Sequence, residues 1–395
     1  MKRIFLSLSA FTRYGGFVLA IILVLGIFDF HSLYDHVKHI MHTSPVPAHY
    51  STKVIYFSTA FWVGRVVLYA VLWYAFSIIM DNFFARTDQT DPKVYKKSKL
   101  LSAAFIVVFA VTESAVSWDM IMSLDTHWYS TLFGWYNFAS YGCGAWAMTI
   151  LLVIYLKSLG YLQRVNENHV HDLGKMLFGF SILWAYMWFD QIMLQWFANM
   201  PEETSFWIKR FDVDFFKGTI FLSLIINFVF PLFFLIKRGP KRNFKMIGFG
   251  AALLVFGHYL DFFNYTFVEP NWNKEEMHQE GGLNEEAMNK NEKVVFYAEA
   301  GQSGHAMSDA TKPTQNTDAV VTEVKAHGHA AAEGHISEEA PEKNFAGIGI
   351  GELLIFVGFL GVFLYLFFKN LAKRPIIPEN DPYLKEGEKL VVTYA

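Results

Sequence analysis

The chain has 395 residues, of which 53% are hydrophobic, 18% are aromatic and only 17% are charged. The apolar residues are gathered into long blocks, and a soluble protein of this size could not bury them all in one core. The formal net charge of -3 indicates no particular class of partner.

Eight of the apolar blocks are long enough to cross a bilayer, which takes about 20 mostly apolar residues in a helix. They lie at 14–32, 54–84, 98–122, 130–158, 173–199, 214–236, 244–268 and 346–369. Strands of a membrane barrel would instead alternate polar and apolar residues in shorter segments. The sequence therefore predicts an all-α polytopic membrane protein with about eight transmembrane helices.

The Lys and Arg residues of the short loops are unevenly distributed. One side carries most of them, whereas the short loops of the other side contain only Lys38, Lys53, Lys209 and Arg210. Cytoplasmic loops are enriched in Lys and Arg. Both termini are therefore predicted to be cytoplasmic.

The chain is expected to have four regions. Residues 1–269 hold the first seven membrane helices, 270–343 form a polar, largely flexible periplasmic loop, 344–372 hold the last membrane helix, and 373–395 form a cytoplasmic tail. The polar loop is rich in Glu, Lys, Asn, Ala, Gly and Ser, and buries too little apolar surface to offset the entropy of ordering it.

Charged residues lie inside or next to the apolar blocks, where a charge costs several kcal/mol unless it is paired or hydrated. They are, in chain order, Arg65, Glu113, Asp119, Asp125, His127, Asp190, His258 and Asp261. If most of them line one hydrated interior, that cost falls, and they can form a proton path toward the outward loop that holds Asp125 and His127. The alternative is a set of static contacts between helices, and both interpretations remain open at this point.

Three local patterns refine this interpretation. Glu113 and Ser117 share a helix face at i, i+4, and His258 and Asp261 share one at i, i+3, so each pair can interact. Pro231 has no N–H, which leaves the carbonyl four residues earlier without its helical partner and predicts a kink in the sixth block.

The residues needed to ligate common redox cofactors are scarce. The single cysteine, Cys143, cannot ligate an iron–sulfur cluster or attach a c-type haem. His258 is the one histidine well inside an apolar block, whereas haem b usually needs two axial imidazoles. The chain is therefore expected to bind no cofactor and no metal itself.

The segment from Trp118 to Tyr136 resembles the signature of the F-subunit family of alternative complex III, a bacterial quinol:cytochrome c (or oxidase) oxidoreductase. Further similar segments follow in the same order at 173–178, 196–203, 256–261 and 381–384. The resemblance covers nearly all of the chain outside the polar loop. Family members often have about two more N-terminal helices, and the polar loop is unusually long and rich in histidine.

The resemblance implies a polysulfide-reductase (NrfD-like) fold of two four-helix bundles in the bacterial inner membrane. It implies structural support and a proton-conducting path, and the eight charged residues above are the positions carried over. Quinone, haem c and iron–sulfur clusters are then expected in partner subunits. Those partners would be a multihaem cytochrome c, an iron–sulfur subunit, a paralogous quinol-binding membrane subunit and a terminal oxidase, with no nucleic acid.

Two other functions remain open. The chain could bind quinol itself, as the paralogous subunit does, which a quinone next to His258, Asp261 or Asp119 would indicate. It could instead be a stand-alone ion or solute transporter, which would be active as an isolated monomer.

Overall fold

The computed structural model describes residues 2–28, 34, 37, 51–86, 92–125, 128–199, 201–290, 350–373 and 376. Within these ranges the chain forms helices and turns and contains no β-strand. It divides into two units, one of Met1–Met277 with Phe345–Ala395 and one of His278–Asn344. In the second unit, the described residues 278–290 are helical.

The helices, in chain order, are α1 (Lys2–Leu8), α2 (Thr12–Ile27), α3 (Ser51–Tyr56), α4 (Thr59–Arg86), α5 (Pro92–Met120), α6 (Leu132–Ser158), α7 (Glu167–Ala198), α8 (Pro201–Asp212), α9 (Asp214–Leu224), α10 (Phe230–Phe234), α11 (Arg238–Arg242), α12 (Phe244–Lys290) and α13 (Ile350–Leu371).

Eight stretches of the described chain are long and apolar enough to cross a membrane. They are Arg3–Ile27, Thr59–Phe84, Lys96–Leu124, Leu132–Ser158, Glu167–Ala198, Asp214–Phe234, Phe244–Val268 and Leu353–Leu371. The protein is therefore an all-α polytopic membrane protein, as the sequence predicts. Because eight crossings are an even number, a chain that crosses at every span has both termini on the same side.

The first span begins earlier than the sequence predicts. Residues 3–13, expected to precede the membrane helix, form α1 and the start of α2, which a tight turn joins. In that turn Ser9 Oγ donates to the carbonyl of Leu6 at 2.8 Å and Thr12 Oγ1 donates to the carbonyl of Ser9 at 2.7 Å. Such local bonds compete with the regular helical ladder, which explains the interruption between two otherwise apolar helices.

Glycine allows α2 and α4 to approach closely. A Cβ on Gly16 would lie 2.9 Å from Ala70 Cα, so no larger residue fits there without movement. Close backbone approach at small residues is a common way to pack membrane helices. Arg13 on α2 also connects this helix to α4. It forms an ion pair with Asp81 at 3.0 Å and donates to Ser77 Oγ at 2.9 Å.

The connection between α6 and α7 has well-formed ends. Gly160 adopts φ 86° after α6, and the N–H of Tyr161 donates to the carbonyl of Leu156, which is the usual glycine-terminated helix end. Asn166 then caps α7, its side chain accepting from the backbone N–H groups of Asn168 and His169 at 3.0 and 3.2 Å. These signals fix the lengths of two spans that pack side by side.

The described core consists of separate apolar clusters that share helices. One lies between α2, α4 and α5 and includes Leu23, Trp62 and Val66. A second joins α1, α6, α7, α12 and α13, and a third joins α6, α7, α8 and α12. Helices α6, α7 and α12 contribute to both the second and the third cluster, so these three helices connect the two parts of the core.

The sixth span is irregular near its proline. Residues Ile225–Val229 form a π turn, and Pro231 then lies in the first turn of α10, where a missing N–H is tolerated. The irregularity expected from Pro231 therefore takes the form of a π turn between α9 and α10. Asn227 lies in this turn and donates to Ser223 Oγ at 3.2 Å.

Helix α12 continues past residue 269, where the sequence predicts the flexible periplasmic loop to begin, and ends at Lys290. The extension contains five Glu residues, which are good helix formers, together with four Asn and two Gly, which are poorer ones. Residues 291–343, with the histidine-rich part of the loop, and the tail from 377 lie outside the described residues.

Candidate functional site

Arg65 on α4 forms an ion pair with Asp119 at the end of α5. The guanidinium reaches both carboxylate oxygens, with Nη2–Oδ1 at 2.7 Å and Nε–Oδ2 at 3.1 Å. Its Nη1 donates to the carbonyl of Tyr56 at 2.8 Å, and its Cζ lies 3.7 Å from the centre of the Tyr56 ring. The Asp119 side chain is fully buried and the Arg65 side chain is 11% exposed. This two-bonded geometry compensates the cost of burying both charges better than a single contact would.

Side chains cap the end of α5 next to this ion pair. Trp62 Nε1 donates to the carbonyl of Asp119 at 3.2 Å, Ser123 Oγ donates to the same carbonyl at 2.7 Å, and Tyr34 Oη donates to the carbonyl of Met120 at 3.1 Å. These bonds satisfy carbonyls that a helix end leaves without partners. Burial, and next the negative charge of Asp119, raise the pKa of Tyr34 well above its usual value, so this phenol stays protonated.

Glu113 lies one and a half turns before Asp119 on α5. Ser117 Oγ donates to Glu113 Oε1 at 2.9 Å, which confirms the pairing expected from their i, i+4 spacing. The other oxygen, Oε2, is buried and has no hydrogen-bond partner among the described residues. Helix α6 runs close by, because a Cβ on Gly134 would lie 2.8 Å from Ser114 Cβ. Glu113 is thus a buried carboxyl group with one oxygen available to a further partner.

Asp261 on α12 is at the centre of a network that joins α6, α7 and α12. Tyr136 Oη donates to Asp261 Oδ1. Trp184 Nε1 and Ser140 Oγ lie 2.9 Å and 3.2 Å from Asp261 Oδ2. Ser140 Oγ also lies 2.8 Å from His258 Nδ1. His258 and Asp261 are therefore connected through Ser140, where the sequence suggested a direct pair.

The hydroxyl of Ser140 determines which groups of this network donate hydrogen bonds and which accept them. A serine has one proton to donate, so it cannot donate to both His258 and Asp261. In the arrangement that satisfies the carboxylate, Ser140 donates to Asp261 and accepts from Nδ1–H of His258. His258 Nε2 is then the acceptor nitrogen, and this atom is buried without a hydrogen-bond partner among the described residues. When a proton arrives at Nε2 of His258, the proton on Nδ1 can move to Ser140 while Ser140 passes its own proton to Asp261.

A small cavity lies next to Asp261. Its volume of about 10 Å³ is close to what a single water molecule needs. Its lining includes Trp188, Trp207, Arg210, Ser223, Asn264 and Tyr265. Arg210 on α8 is buried, donates from Nη1 to the carbonyl of Phe206 at 2.8 Å and lies over the Phe206 ring. A cation and a carboxylate thus line one water-sized space.

The remaining residues of the predicted path lie elsewhere. Asp125, in the loop after α5, lies 3.9 Å from Lys209 Nζ and accepts from the backbone N–H of Trp128 at 3.2 Å. Asp190 on α7 is half-buried and makes no hydrogen bond or ion pair within the described ranges. His127 lies outside the described residues.

The structure thus brings together two of the predicted pairs. Arg65 contacts Asp119 directly, and His258 reaches Asp261 through Ser140. No hydrogen bond or ion pair joins these two pairs, or joins either to Glu113, in the part of the chain that is described. Their role in a proton path remains a prediction.

Sequence reasoning did not single out four residues of this region, namely Tyr136, Ser140, Trp184 and Arg210. The i, i+4 spacing of Tyr136 and Ser140 was a usable signal, because it places both hydroxyls on one face of α6. No comparable signal existed for Arg210, which the sequence places in a short outward loop.

Comparison with models of known protein families gives no match, and comparison with curated proteins gives none either. Among the described residues, no group of three or more His, Cys, Asp or Glu side chains is arranged to hold a metal ion.

Proposed function

We propose that this chain is a membrane subunit of a bacterial quinol:cytochrome c (or oxidase) oxidoreductase of the alternative complex III type. It binds no redox cofactor itself, lies in the inner membrane with both termini in the cytoplasm, and has the NrfD-like arrangement of two four-helix bundles. It supports the complex and provides part of a proton path. Quinone, haem c and iron–sulfur clusters belong to partner subunits.

The observation that carries this proposal is the buried network of His258, Ser140 and Asp261. An ionisable group in the interior of a membrane protein is costly, and such groups usually serve ion or proton movement. Here they are linked by a hydroxyl that can both accept and donate a proton, and they lie next to a water-sized cavity. A space of that size holds a single water molecule, which suits proton transfer at this position.

The first experiment identifies the partners. The intact complex is purified in mild detergent, and its subunits, haems and iron–sulfur clusters are determined by mass spectrometry and spectroscopy. Co-purification with haem and iron–sulfur subunits supports the proposal. A monomeric protein with transport activity of its own contradicts it, and a haem ligated by this chain contradicts the cofactor-free role.

The second experiment tests the network. In reconstituted vesicles, Asp261→Asn is expected to lower the protons moved per quinol oxidised, because asparagine cannot exchange a proton with Ser140. Asp81→Asn is the control, since Asp81 is a partly buried carboxylate of another membrane helix and lies outside the network. Equal proton yields for Asp261→Asn and the unaltered complex would contradict the role of Asp261.

A further inference from the structure

Asp190 is the one charged residue in the apolar part of α7. Between Lys175 and Glu202 the sequence contains no other Asp, Glu, Lys or Arg. The exposed Trp196, six residues later, is of a type that is enriched where membrane meets water. Because a helix rises about 1.5 Å per residue, Asp190 lies about 9 Å deeper in the membrane than Trp196. The carboxylate of Asp190 is therefore at the level of the hydrocarbon layer.

The side chain of Asp190 differs in its surroundings from three other carboxylates within the spans. Glu113, Asp119 and Asp261 are at most 3% exposed, and each accepts a hydrogen bond from a described residue. Asp190 is half-buried and makes no hydrogen bond or ion pair with any described residue. A carboxylate in hydrocarbon costs several kcal/mol unless it is paired or hydrated. Asp190 thus needs a partner that the described residues do not supply.

The residues next to Asp190 on the same side of the helix form a continuous row, which we call the exposed face of α7. Its members follow one another at alternating intervals of four and three residues and are Gly179, Leu183, Tyr186, Asp190, Met193 and Phe197. Leu183 and Asp190 are half-buried, and the other four are exposed. This spacing is the one by which two helices pack along each other. A Cβ on Gly179 would meet nothing within 4 Å, so a neighbouring helix can approach closely there.

Tyr186 adds a second polar group to this face, one turn before Asp190. Its side chain is 59% exposed, and its hydroxyl makes no hydrogen bond with a described residue. A phenol in the hydrocarbon layer also loses free energy unless it finds a hydrogen-bond partner. The exposed face of α7 is therefore apolar toward both ends and polar and anionic at its centre. It fits an apolar helix that carries a cation at one level.

Neither lipid nor a second copy of the chain fits this face. Acyl chains offer no hydrogen-bond donor, and lipid head groups lie nearer the membrane surface than Asp190. Two copies in the same membrane orientation, related by a twofold axis, would place equivalent residues of this face opposite each other. The two Asp190 carboxylates would then meet in a medium of low dielectric constant, where like charges repel strongly. The partner is therefore a different membrane protein.

We propose that the exposed face of α7 binds a transmembrane helix of another protein, which places an arginine or lysine side chain next to Asp190. The ion pair compensates the cost of the carboxylate in hydrocarbon, and charge-assisted hydrogen bonds add to it. The apolar residues on either side of Asp190 supply packing, and Gly179 allows the two backbones to approach. This inference does not depend on the function proposed above, because it concerns the chemistry of the partner helix and not its cofactors.

The first test identifies what covers this face in native membranes. A photoreactive phenylalanine analogue is placed at Phe197 or at Met193 of the full-length chain, and cross-linked products are mapped by mass spectrometry. Both positions are expected to cross-link to one transmembrane segment of another protein, with a Lys or Arg within one turn of the level of Asp190. The analogue at Phe249, which is exposed on α12 near the start of its span, is the control and should not give this product.

The second test measures what the charge of Asp190 contributes to binding of the cross-linked partner. Asp190→Asn keeps the shape of the side chain and should lower the affinity in mild detergent at least about tenfold, as loss of one member of a buried charge pair does. Replacing the mapped Lys or Arg of the partner by glutamine should have the same effect. The combined variants should bind no more weakly than either alone, because no unpaired charge then remains.

Asp172→Asn is the matched control for Asp190→Asn. Asp172 lies on the same side of the same helix, about five turns earlier. It is 41% exposed and already forms an ion pair with Lys175 at 2.7 Å. Its replacement should change the affinity for the partner less than twofold.

Four results would overturn the proposal. Cross-links to lipid alone would assign the face to the bilayer, and cross-links to a second copy or to another segment of this chain would assign it to those contacts. A partner segment without Lys or Arg near Asp190 would remove the ion pair. Unchanged affinity of Asp190→Asn would show that the charge does not contribute. If Asp190→Asn does not fold, the glutamine variant of the partner decides alone.

Discussion

Replacing Arg65 by leucine is expected to destabilise the protein by about 3–5 kcal/mol, the usual cost of removing one partner from a buried ion pair. The change removes two hydrogen bonds to Asp119 and one to the carbonyl of Tyr56. Asp119 cannot turn to water for compensation, because its side chain is fully buried. The free energy of unfolding is measured by titrating sodium dodecyl sulfate into detergent micelles and following tryptophan fluorescence.

The double variant Arg65→Leu with Asp119→Leu separates pairing from packing. Replacing both charges by apolar side chains often costs little, since no charge remains buried. The double variant should therefore be more stable than Arg65→Leu alone. As a control, Glu167→Gln removes one partner of the exposed Glu167–Arg242 pair and should cost at most about 1 kcal/mol. If Arg65→Leu costs no more than that control, the pair does not stabilise the bundle. The same conclusion follows if the separate costs of Arg65→Leu and Asp119→Leu add up to the cost of the double variant.

Two further predictions concern other parts of the membrane domain. Glu113→Gln should lower proton movement coupled to quinol oxidation in reconstituted vesicles and leave assembly unchanged, because glutamine still accepts from Ser117 but cannot release a proton. Gly257→Ala should lower the free energy of unfolding by about 1–3 kcal/mol, because a Cβ there would overlap Asn227 Oδ1.

For each of these predictions, a specific result would contradict the reasoning. Glu113→Gln with normal proton movement would exclude that carboxyl group from the path, and loss of assembly would assign it a structural role. Gly144→Ala serves as the control for Gly257→Ala, because nothing lies within 4 Å of a Cβ on Gly144.

The sequence was sufficient for the number of spans and insufficient for their contacts. Each span follows from the length of an apolar block, which is a property of one segment. The partner of Arg65 depends on the register between α4 and α5, and hydropathy carries no information on register. Asp119 was therefore one of several carboxylates that could have met Arg65, and only the structure brings the two within 2.7 Å.

The same limit explains what was missed near Asp261. The i, i+3 spacing of His258 and Asp261 predicted an interaction on one helix face, but Ser140 from α6 lies between them. A serine inside an apolar helix does not by itself predict a contact with another helix, because its hydroxyl commonly donates to a carbonyl of its own helix. The segment around Arg210 is short and polar, which predicts a loop, so the sequence does not indicate that Arg210 lies beside the cavity.

The contact between α1 and α13 has a consequence for how the chain is made. Ile4 near the start of the chain packs in one cluster with Phe367 and Leu371 near its end, and Phe11 contacts Phe363 edge to face. A ribosome synthesises α1 before α13, so the contact between them cannot form until the chain beyond residue 350 has been made. A nascent chain that stops before residue 350 therefore lacks this contact.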